Sequence, residues 1–366
     1  MYSLNTRIII AGGGTGGHIF PAIAIANALR KKEASVELLF VGAKGKMEME
    51  KVPQAGYRIK GIDIAGFNRS SLIKNLGLPF KLMKSFFQVR SIVREFRPDA
   101  VIGVGGYASF PLLRYAQSRH IPSFIHEPNS YAGKSNMLLS HRATRIFVAS
   151  DGMEQFFPAE KLILVGNPVR KAIVQSTVGK AEALRAFGLQ EGKTTILAIG
   201  GSQGARSINE AIAGQLDAFA SHDLQLIWQT GKGTVAEFSS AAEGKKGIWV
   251  SDFITDMDRA YAAADIVISR SGSTLYELCV VKKPVIFIPF PNAAEDHQTV
   301  NAERLVRKNA AWMIPDKEAR EKLIPAMLAL AADPKTQEEL SENIGRLAVT
   351  DADDRIAAEI LNMIHA

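Results

Sequence analysis

Twice in this chain a short strand-like run ends in a glycine-rich loop that opens into a helix, and this repeat limits the possible folds more than any other feature. The first copy is Arg7-Ile8-Ile9-Ile10-Ala11, then Gly12-Gly13-Gly14-Thr15-Gly16-Gly17-His18, with Pro21 expected in the first helical turn and an apolar helix over 22–30. The second is Thr194–Ile199, then Gly200-Gly201-Ser202-Gln203-Gly204-Ala205-Arg206, with a helix from Ser207 onward. Strand, glycine loop, helix is the phosphate-side turn of a Rossmann-like unit. Further strand-like runs at 36–41, 100–104, 122–126, 145–149, 224–229, 247–250, 265–269 and 284–289 alternate with helical patterns. That alternation predicts α/β architecture, with two doubly wound parallel sheets. The expected domains are 1–166 and 167–350, divided at the Asn167-Pro168 turn, with a closing helix in 351–366 that packs back on the first. Each glycine loop falls at the same edge of its sheet, so the halves are expected to face each other across a cleft.

With 366 residues, 47% hydrophobic and 22% charged, the chain carries enough apolar mass for two cores. One cysteine, Cys279, excludes a disulfide framework or a cysteine-based metal cluster, and its apolar helix marks it as a core thiol. No run reaches the roughly 18 to 20 apolar residues of a membrane span, so a cytoplasmic protein is expected. The formal charge of +7 suits nucleic acid, anionic lipid or phosphorylated substrates. Zinc-finger spacing, RRM-type aromatics and a long basic arm are all missing, so no nucleic acid partner is expected.

The stretch Arg270-Ser271-Gly272-Ser273-Thr274-Leu275-Tyr276-Glu277 follows a strand and opens a helix. Backbone N–H groups and the helix dipole make such a start a seat for phosphate. Glu277 stands too deep to face the phosphate and is placed to accept from ribose hydroxyls, as in a nucleotide-diphosphate site; an ordinary capped helix is the alternative. Gly12-x-Gly14-x-x-Gly17 also satisfies the dinucleotide fingerprint, but the NAD reading needs an acid at the end of the next strand. There Glu37 comes too early and Lys44 has the wrong sign, so the oxidoreductase reading is weak. His18 is the ionisable side chain of the first loop and a candidate to take a proton from a hydroxyl at neutral pH, against a purely structural role. Gly105-Gly106-Tyr107 and His126-Glu127-Pro128-Asn129 also fall just after strand ends, where open α/β sheets gather ligands. Arg170 and Ser202 are candidates for phosphate, Phe253-Ile254 for a base, and Asp296-His297-Gln298 for a sugar.

The segment 71–87 combines bulky apolar residues at helical spacing (Leu76, Phe80, Met83, Phe87) with Lys74, Lys81 and Lys84 and no acid. One core-facing stripe needs fewer large side chains than this. A peripheral membrane anchor uses them, with roughly 1 kcal/mol added per cation near anionic lipid.

Taken together, Gly13-Gly14-Thr15-Gly16-Gly17-His18, His126-Glu127-Pro128-Asn129, Gly166-Asn167-Pro168-Val169-Arg170, the second glycine loop, Arg270-Ser271-Gly272 and Asp296-His297-Gln298 with Asn301-Ala302 resemble the MurG family. Its members are the UDP-N-acetylglucosamine:undecaprenyl-diphospho-muramoylpentapeptide N-acetylglucosaminyltransferases. The resemblance runs over nearly the whole chain. It implies a GT-B fold and an inverting transfer of GlcNAc from UDP-GlcNAc to the C4 hydroxyl of MurNAc in lipid I, giving lipid II. The implied partners are the UDP-GlcNAc donor, the undecaprenyl-diphosphate-linked MurNAc-pentapeptide acceptor and an anionic membrane surface at the cytoplasmic face. Carried over by position, Thr15, Gly16 and Gly17 line the sugar-diphosphate side and Asn129 contacts the donor sugar. Arg170 and Ser202 meet the phosphates, Ile254 holds uracil by its backbone, Glu277 the ribose and Gln298 the GlcNAc hydroxyls. Arg270, Ser273, Thr274 and Leu275 complete the donor site. His18 is the candidate general base and Glu127 a second candidate. Between Arg270 and Glu277 this chain has one residue fewer than is usual, which leaves open how Ser273, Thr274 and Leu275 correspond to the family's contacts.

No cofactor and no metal are expected. Before the closing helix, the donor half's one Asp-x-Asp, Asp256-x-Asp258, follows Phe253 by the base pocket, away from the phosphates. Dipole, backbone N–H groups and Arg170 are then expected to stabilise the leaving UDP. Rival readings on the same architecture are a UDP-GlcNAc 2-epimerase, a diacylglycerol glycosyltransferase and a non-enzymatic nucleotide-binding module.

Overall fold

The computed structural model describes residues 5–66, 77–201 and 203–365. Leu76 of the expected membrane patch and Ser202 of the second glycine loop lie outside them. The chain divides into two compact units, Met1–Arg170 with Asp351–Ala366, and Lys171–Thr350.

In the first unit, β1 (Arg7–Ala11), β2 (Glu37–Ala43), β3 (Arg58–Ile62), β4 (Ala100–Gly103), β5 (Ser123–Glu127), β6 (Arg145–Val148) and β7 (Leu162–Leu164) form one sheet. Its order is β3-β2-β1-β4-β5-β6-β7 and every pairing is parallel. The strands are apolar on both faces because both are covered by helices. Ile8, Ile10, Phe40, Ile102 and Phe124 pack on one side with the helix Gly16–Lys32. Ile9, Val41, Val101, Ile125 and Ile146 pack on the other with Val89, Ile92 and Val93 of the helix Leu78–Phe96. The closing helix Ala352–His365 joins the first face through Ile356, Ala357, Ile360 and Leu361. Arg145 to Glu359 (3.3 Å) ties down its middle and His365 to Glu33 (3.0 Å) its last residue.

The second unit repeats the plan with β8 (Thr194–Ile199), β9 (Leu224–Gln229), β10 (Ile248–Ser251), β11 (Ile266–Ser269), β12 (Val285–Phe287) and β13 (Trp312–Met313). The order is β10-β9-β8-β11-β12-β13, again parallel. Ile196, Leu226, Trp228, Ile266 and Ile268 centre its core.

Three local expectations need correction. The first helix begins at Gly16, so Pro21 lies inside it and not in its first turn. A proline at that depth leaves the Gly17 carbonyl without its usual i+4 donor. Strands β3 and β13 were not anticipated: β3 is an edge strand whose residues 58–61 are only half covered, so its sequence lacks an apolar run. The third concerns Phe253 and Ile254, which the sequence places at the end of a strand: β10 ends at Ser251, so both sit in the loop beyond it.

Candidate active site

In each unit the sheet order reverses direction at the first strand, between β1 and β4 and between β8 and β11. At such a switch point loops leave on opposite sides and open a crevice beyond the strands' carboxyl ends. Most of the expected residues stand there.

In the first unit, the 12–15 loop leaves β1 and Thr15 caps the helix in an extended conformation. His18 lies in the helix's first turn, and its Nδ1 is 3.0 Å from Gly13 O and 3.4 Å from Thr15 Oγ1. A carbonyl only accepts, so Nδ1 carries the proton and the neutral ring keeps its lone pair on Nε2. The ring packs over Gly105, where a methyl group would come within 2.4 Å of His18 Cδ2. Gly105 and Gly106 both have positive φ (95° and 87°), so glycine meets two demands there: backbone conformation and close approach.

Glu127 ends β5 and is 2% exposed. Its oxygens accept from Asn129 N and Nδ2 (both 3.1 Å), Gly133 N (2.9 Å) and Asn136 Nδ2 (2.9 Å). Burial pushes its carboxyl up from the ordinary value, and the four donors oppose that shift. Asn129 is thus held by Glu127. His126 is fully buried, and desolvation, with a smaller contribution from His18, pushes its imidazole down to about 4 against the pull of the Gly166 backbone. Arg170 closes the unit, its guanidinium 5.1 Å from the centre of the Phe20 ring.

In the second unit, the turn 271–273 leads into the helix Thr274–Val281, placing Glu277 in its first turn. Tyr261 donates to Glu277 Oε2 (2.8 Å) and so orients the carboxylate. The Ser271 hydroxyl donates to Gln298 O (2.7 Å), and Asn301 Nδ2 donates to Ser271 O (3.1 Å). Gln298 Oε1 accepts from Phe290 N (2.9 Å), which turns its Nε2 toward Gly272. Ser273, Thr274 and Leu275 form the helix start, with Leu275 buried.

Two of the expected residues make bonds within the protein. Arg270 is occupied within the protein: it donates to Asp316 (2.5 Å), Ile288 O, Pro289 O and Ser207 Oγ. Its side chain is 11% exposed, and it braces the ends of β11 and β12 against the helix Arg206–Ala213. Ile254 is buried and has its N–H bonded to Gln229 Oε1 (3.2 Å). Gln229 also donates to Gly201 O (2.8 Å), joining the Ile254 loop to the second glycine loop. The sequence reading missed Gln229, Asp316 and Glu48, a carboxylate buried beneath the first glycine loop. A polar or acidic residue in an otherwise ordinary stretch was the only signal.

On the helix Leu78–Phe96, Phe80, Met83 and Phe87 are 71%, 55% and 63% exposed, and with Lys84 they share one face at i, i+3, i+4 and i+7. Lys81 is exposed beside them. Lys84 pairs with Asp63 (3.1 Å), which Lys44 also reaches (3.0 Å); these two cations and Gln88 hold the Asp63 carboxyl well below the usual range. No helix among the described residues is long and apolar enough to cross a membrane.

Residues 8–148 match the glycosyltransferase family 28 N-terminal domain and residues 195–356 the glycosyltransferase family 28 C-terminal domain. The UDP-N-acetylglucosamine--N-acetylmuramyl-(pentapeptide) pyrophosphoryl-undecaprenol N-acetylglucosamine transferase of Parabacteroides distasonis is 51% identical over 361 residues, 98% of either chain. Its namesake in Porphyromonas gingivalis is 48% identical over 362 residues, 98% of this chain and 96% of that one. The crystal structure of Acinetobacter baumannii MurG superimposes with a TM-score of 0.76 at 27% identity, covering 98% and 100% of the two chains. The Neisseria meningitidis UDP-GlcNAc 2-epimerase bound to UDP-GlcNAc, at a TM-score of 0.73 but 14% identity, shares the fold alone. The two parallel-sheet units of this chain, with the MurG likeness, give it the GT-B fold. Matched in both halves by glycosyltransferase family 28 and over nearly its full length by relatives about half identical, the chain belongs to the MurG family.

Proposed function

We propose that this protein transfers GlcNAc from UDP-GlcNAc to the C4 hydroxyl of MurNAc in lipid I, with inversion, forming lipid II. The observation that carries the proposal is identity of 51% across 98% of both chains with a relative whose name gives UDP-N-acetylglucosamine, N-acetylmuramyl-(pentapeptide) pyrophosphoryl-undecaprenol and N-acetylglucosamine transfer. The site chemistry agrees with it. His18 Nε2 takes the proton from the acceptor hydroxyl, the oxygen bonds to C1 of GlcNAc, and the bond from C1 to the β-phosphate oxygen breaks with its electron pair on UDP. Glu127, saturated by four N–H donors, organises the 128–133 loop and presents Asn129 to the donor sugar. Thr15, Gly16 and Gly17 serve the sugar-diphosphate side at a helix start that has no acid in its first turn. Glu277 holds the ribose, the Ile254 carbonyl the uracil, and Gln298 Nε2 the GlcNAc hydroxyls. Arg170 and Ser202 meet the diphosphate, the backbone of 273–275 lies against it, and Arg270 keeps the helix start in place. The exposed face of Phe80, Met83 and Phe87, with Lys81 and Lys84, docks the enzyme as a peripheral protein on the anionic cytoplasmic face of the cell membrane, where the acceptor is anchored.

Incubation of the purified chain with labelled UDP-GlcNAc, with and without lipid I, tests the proposal. Label in the lipid fraction, and only with acceptor present, is expected. Isomerised nucleotide without acceptor would assign an epimerase instead, and unchanged nucleotide in both tubes would leave only a binding protein.

A further inference from the structure

Glu48 opens the helix Glu48–Gln54 yet is 1% exposed. One carboxylate oxygen accepts from Ala43 N–H (2.9 Å) and the other from Gly14 N–H (2.8 Å). Neighbouring glycines make room for it. A methyl group on Gly13 would lie 2.3 Å from Glu48 Cδ, and one on Gly42 would lie 2.5 Å from its Cγ. The Gly14 N–H and the Gly13 carbonyl belong to the same peptide group, and that carbonyl is the acceptor for His18 Nδ1 (3.0 Å). Carboxylate, peptide and imidazole therefore stand in a row. A negative charge on the N–H side polarises the peptide and strengthens its carbonyl as an acceptor. Gly106 closes the seat, since a methyl group there would come within 2.3 Å of Gly13 O.

We propose that Glu48 is a positioning residue for the transfer reaction: acting through the Gly13–Gly14 peptide, it fixes the ring plane of His18 and keeps the basic lone pair on Nε2. This rests on the reading of His18 as the base. Glu48 does for the ring what a carboxylate partner does in a direct carboxylate–histidine pair, with one peptide group interposed. When the ring takes up the acceptor's proton, the same carboxylate offsets the new charge. Thr15 beside Nδ1 does not titrate, and His126, which bears on His18 electrostatically, is neutral at pH 7. Glu48 supplies the negative charge on this line.

The test follows kcat against pH for the full-length wild type, Glu48→Gln, His18→Ala and the double variant. Glu48→Gln is expected to lower kcat about tenfold, as loss of an outer-shell partner does. KM for UDP-GlcNAc and for lipid I should stay within about twofold, because no substrate contact is lost. The acid limb of the profile should move to lower pH, since the imidazolium loses a favourable charge. The double variant should be no slower than His18→Ala. Additive losses in the double variant, or an acid limb that does not move, would overturn the role of Glu48 and leave His18 as the base. Wild-type kcat in His18→Ala would remove the base itself, and this proposal with it. Should Glu48→Gln fail to fold, ¹⁵N spectra of the wild-type histidines decide: a neutral His18 protonated on Nδ1 is expected, and one protonated on Nε2 overturns the proposal.

Discussion

Arg270 and Glu48 show how a residue's role depends on where its partners come from. Arg270 stands in a phosphate-seat motif and invites reading as a ligand, but its guanidinium donates within the protein to Asp316, Ser207 and two carbonyls. Removing it would leave Asp316 with the Ser207 hydroxyl in place of a charged donor, and would take this donor from both carbonyls, in a largely covered site. Arg270→Ala is therefore expected to cost about 3 kcal/mol in urea unfolding, within the range for breaking covered ion pairs. Glu48 was illegible for the opposite reason. It sits in an ordinary acidic run, Met47-Glu48-Met49-Glu50, and its partners Gly14 and Ala43 are backbone groups on other elements. His126 contributes to the pH dependence of the fold. Its folded-state value near 4 lies below the ordinary 6.5, so the unfolded chain binds the proton more readily. Stability from this group is full above about pH 6.5 and is lost as pH falls toward 4, by up to roughly 3 kcal/mol. His126→Phe should flatten the thermal unfolding midpoint over that window; a slope equal to wild type would contradict the assignment.

At the scale of elements, legibility followed burial. Strands covered on both faces announce themselves as apolar runs, as in Ile8-Ile9-Ile10, whereas β3, half covered at the sheet edge, reads Arg-Ile-Lys-Gly-Ile and stays hidden. The glycine loops were legible because close backbone approach leaves glycine little alternative, as at Gly204, where a methyl group would lie 1.9 Å from Thr230 O. The helix Leu78–Phe96 divides its apolar residues between two faces. Val89, Ile92 and Val93 are buried in the core, and Phe80, Met83 and Phe87 remain exposed. The second set is what the membrane reading needs. Phe80→Ser with Phe87→Ser should weaken sedimentation with anionic vesicles at least tenfold, given about 1.5–3 kcal/mol for each fully buried aromatic, and should leave the unfolding midpoint unchanged. Equal vesicle binding by the double variant would separate this helix from any membrane role.

For the molecule as a whole, the repeated strand–loop–helix pattern carries the two-sheet plan, and the glycine and polar clusters at strand ends mark both crevices. What the pattern does not carry is the network beneath, in Gln229, Asp316 and Glu48, because hydrogen bonds between distant elements leave no periodic trace. The closing helix is integral to the first unit: Ile356, Ala357 and Ile360 are fully buried in its core. Ending the chain after Thr350 should remove about 5 kcal/mol or more of apolar burial, a large part of a typical domain's stability. Limited proteolysis of that truncation is expected to degrade the first unit and spare 171–350; equal resistance of both would contradict this.

The proposed function gives nucleotide binding to the second unit and proton chemistry to the first. Calorimetric titration of UDP into wild type, His18→Ala and Glu277→Ala measures that division most directly. The predicted result is a Kd within about twofold of wild type for His18→Ala and weakened at least tenfold for Glu277→Ala, the loss of a charge-assisted contact. UDP affinity that falls with His18 and is indifferent to Glu277 would contradict it.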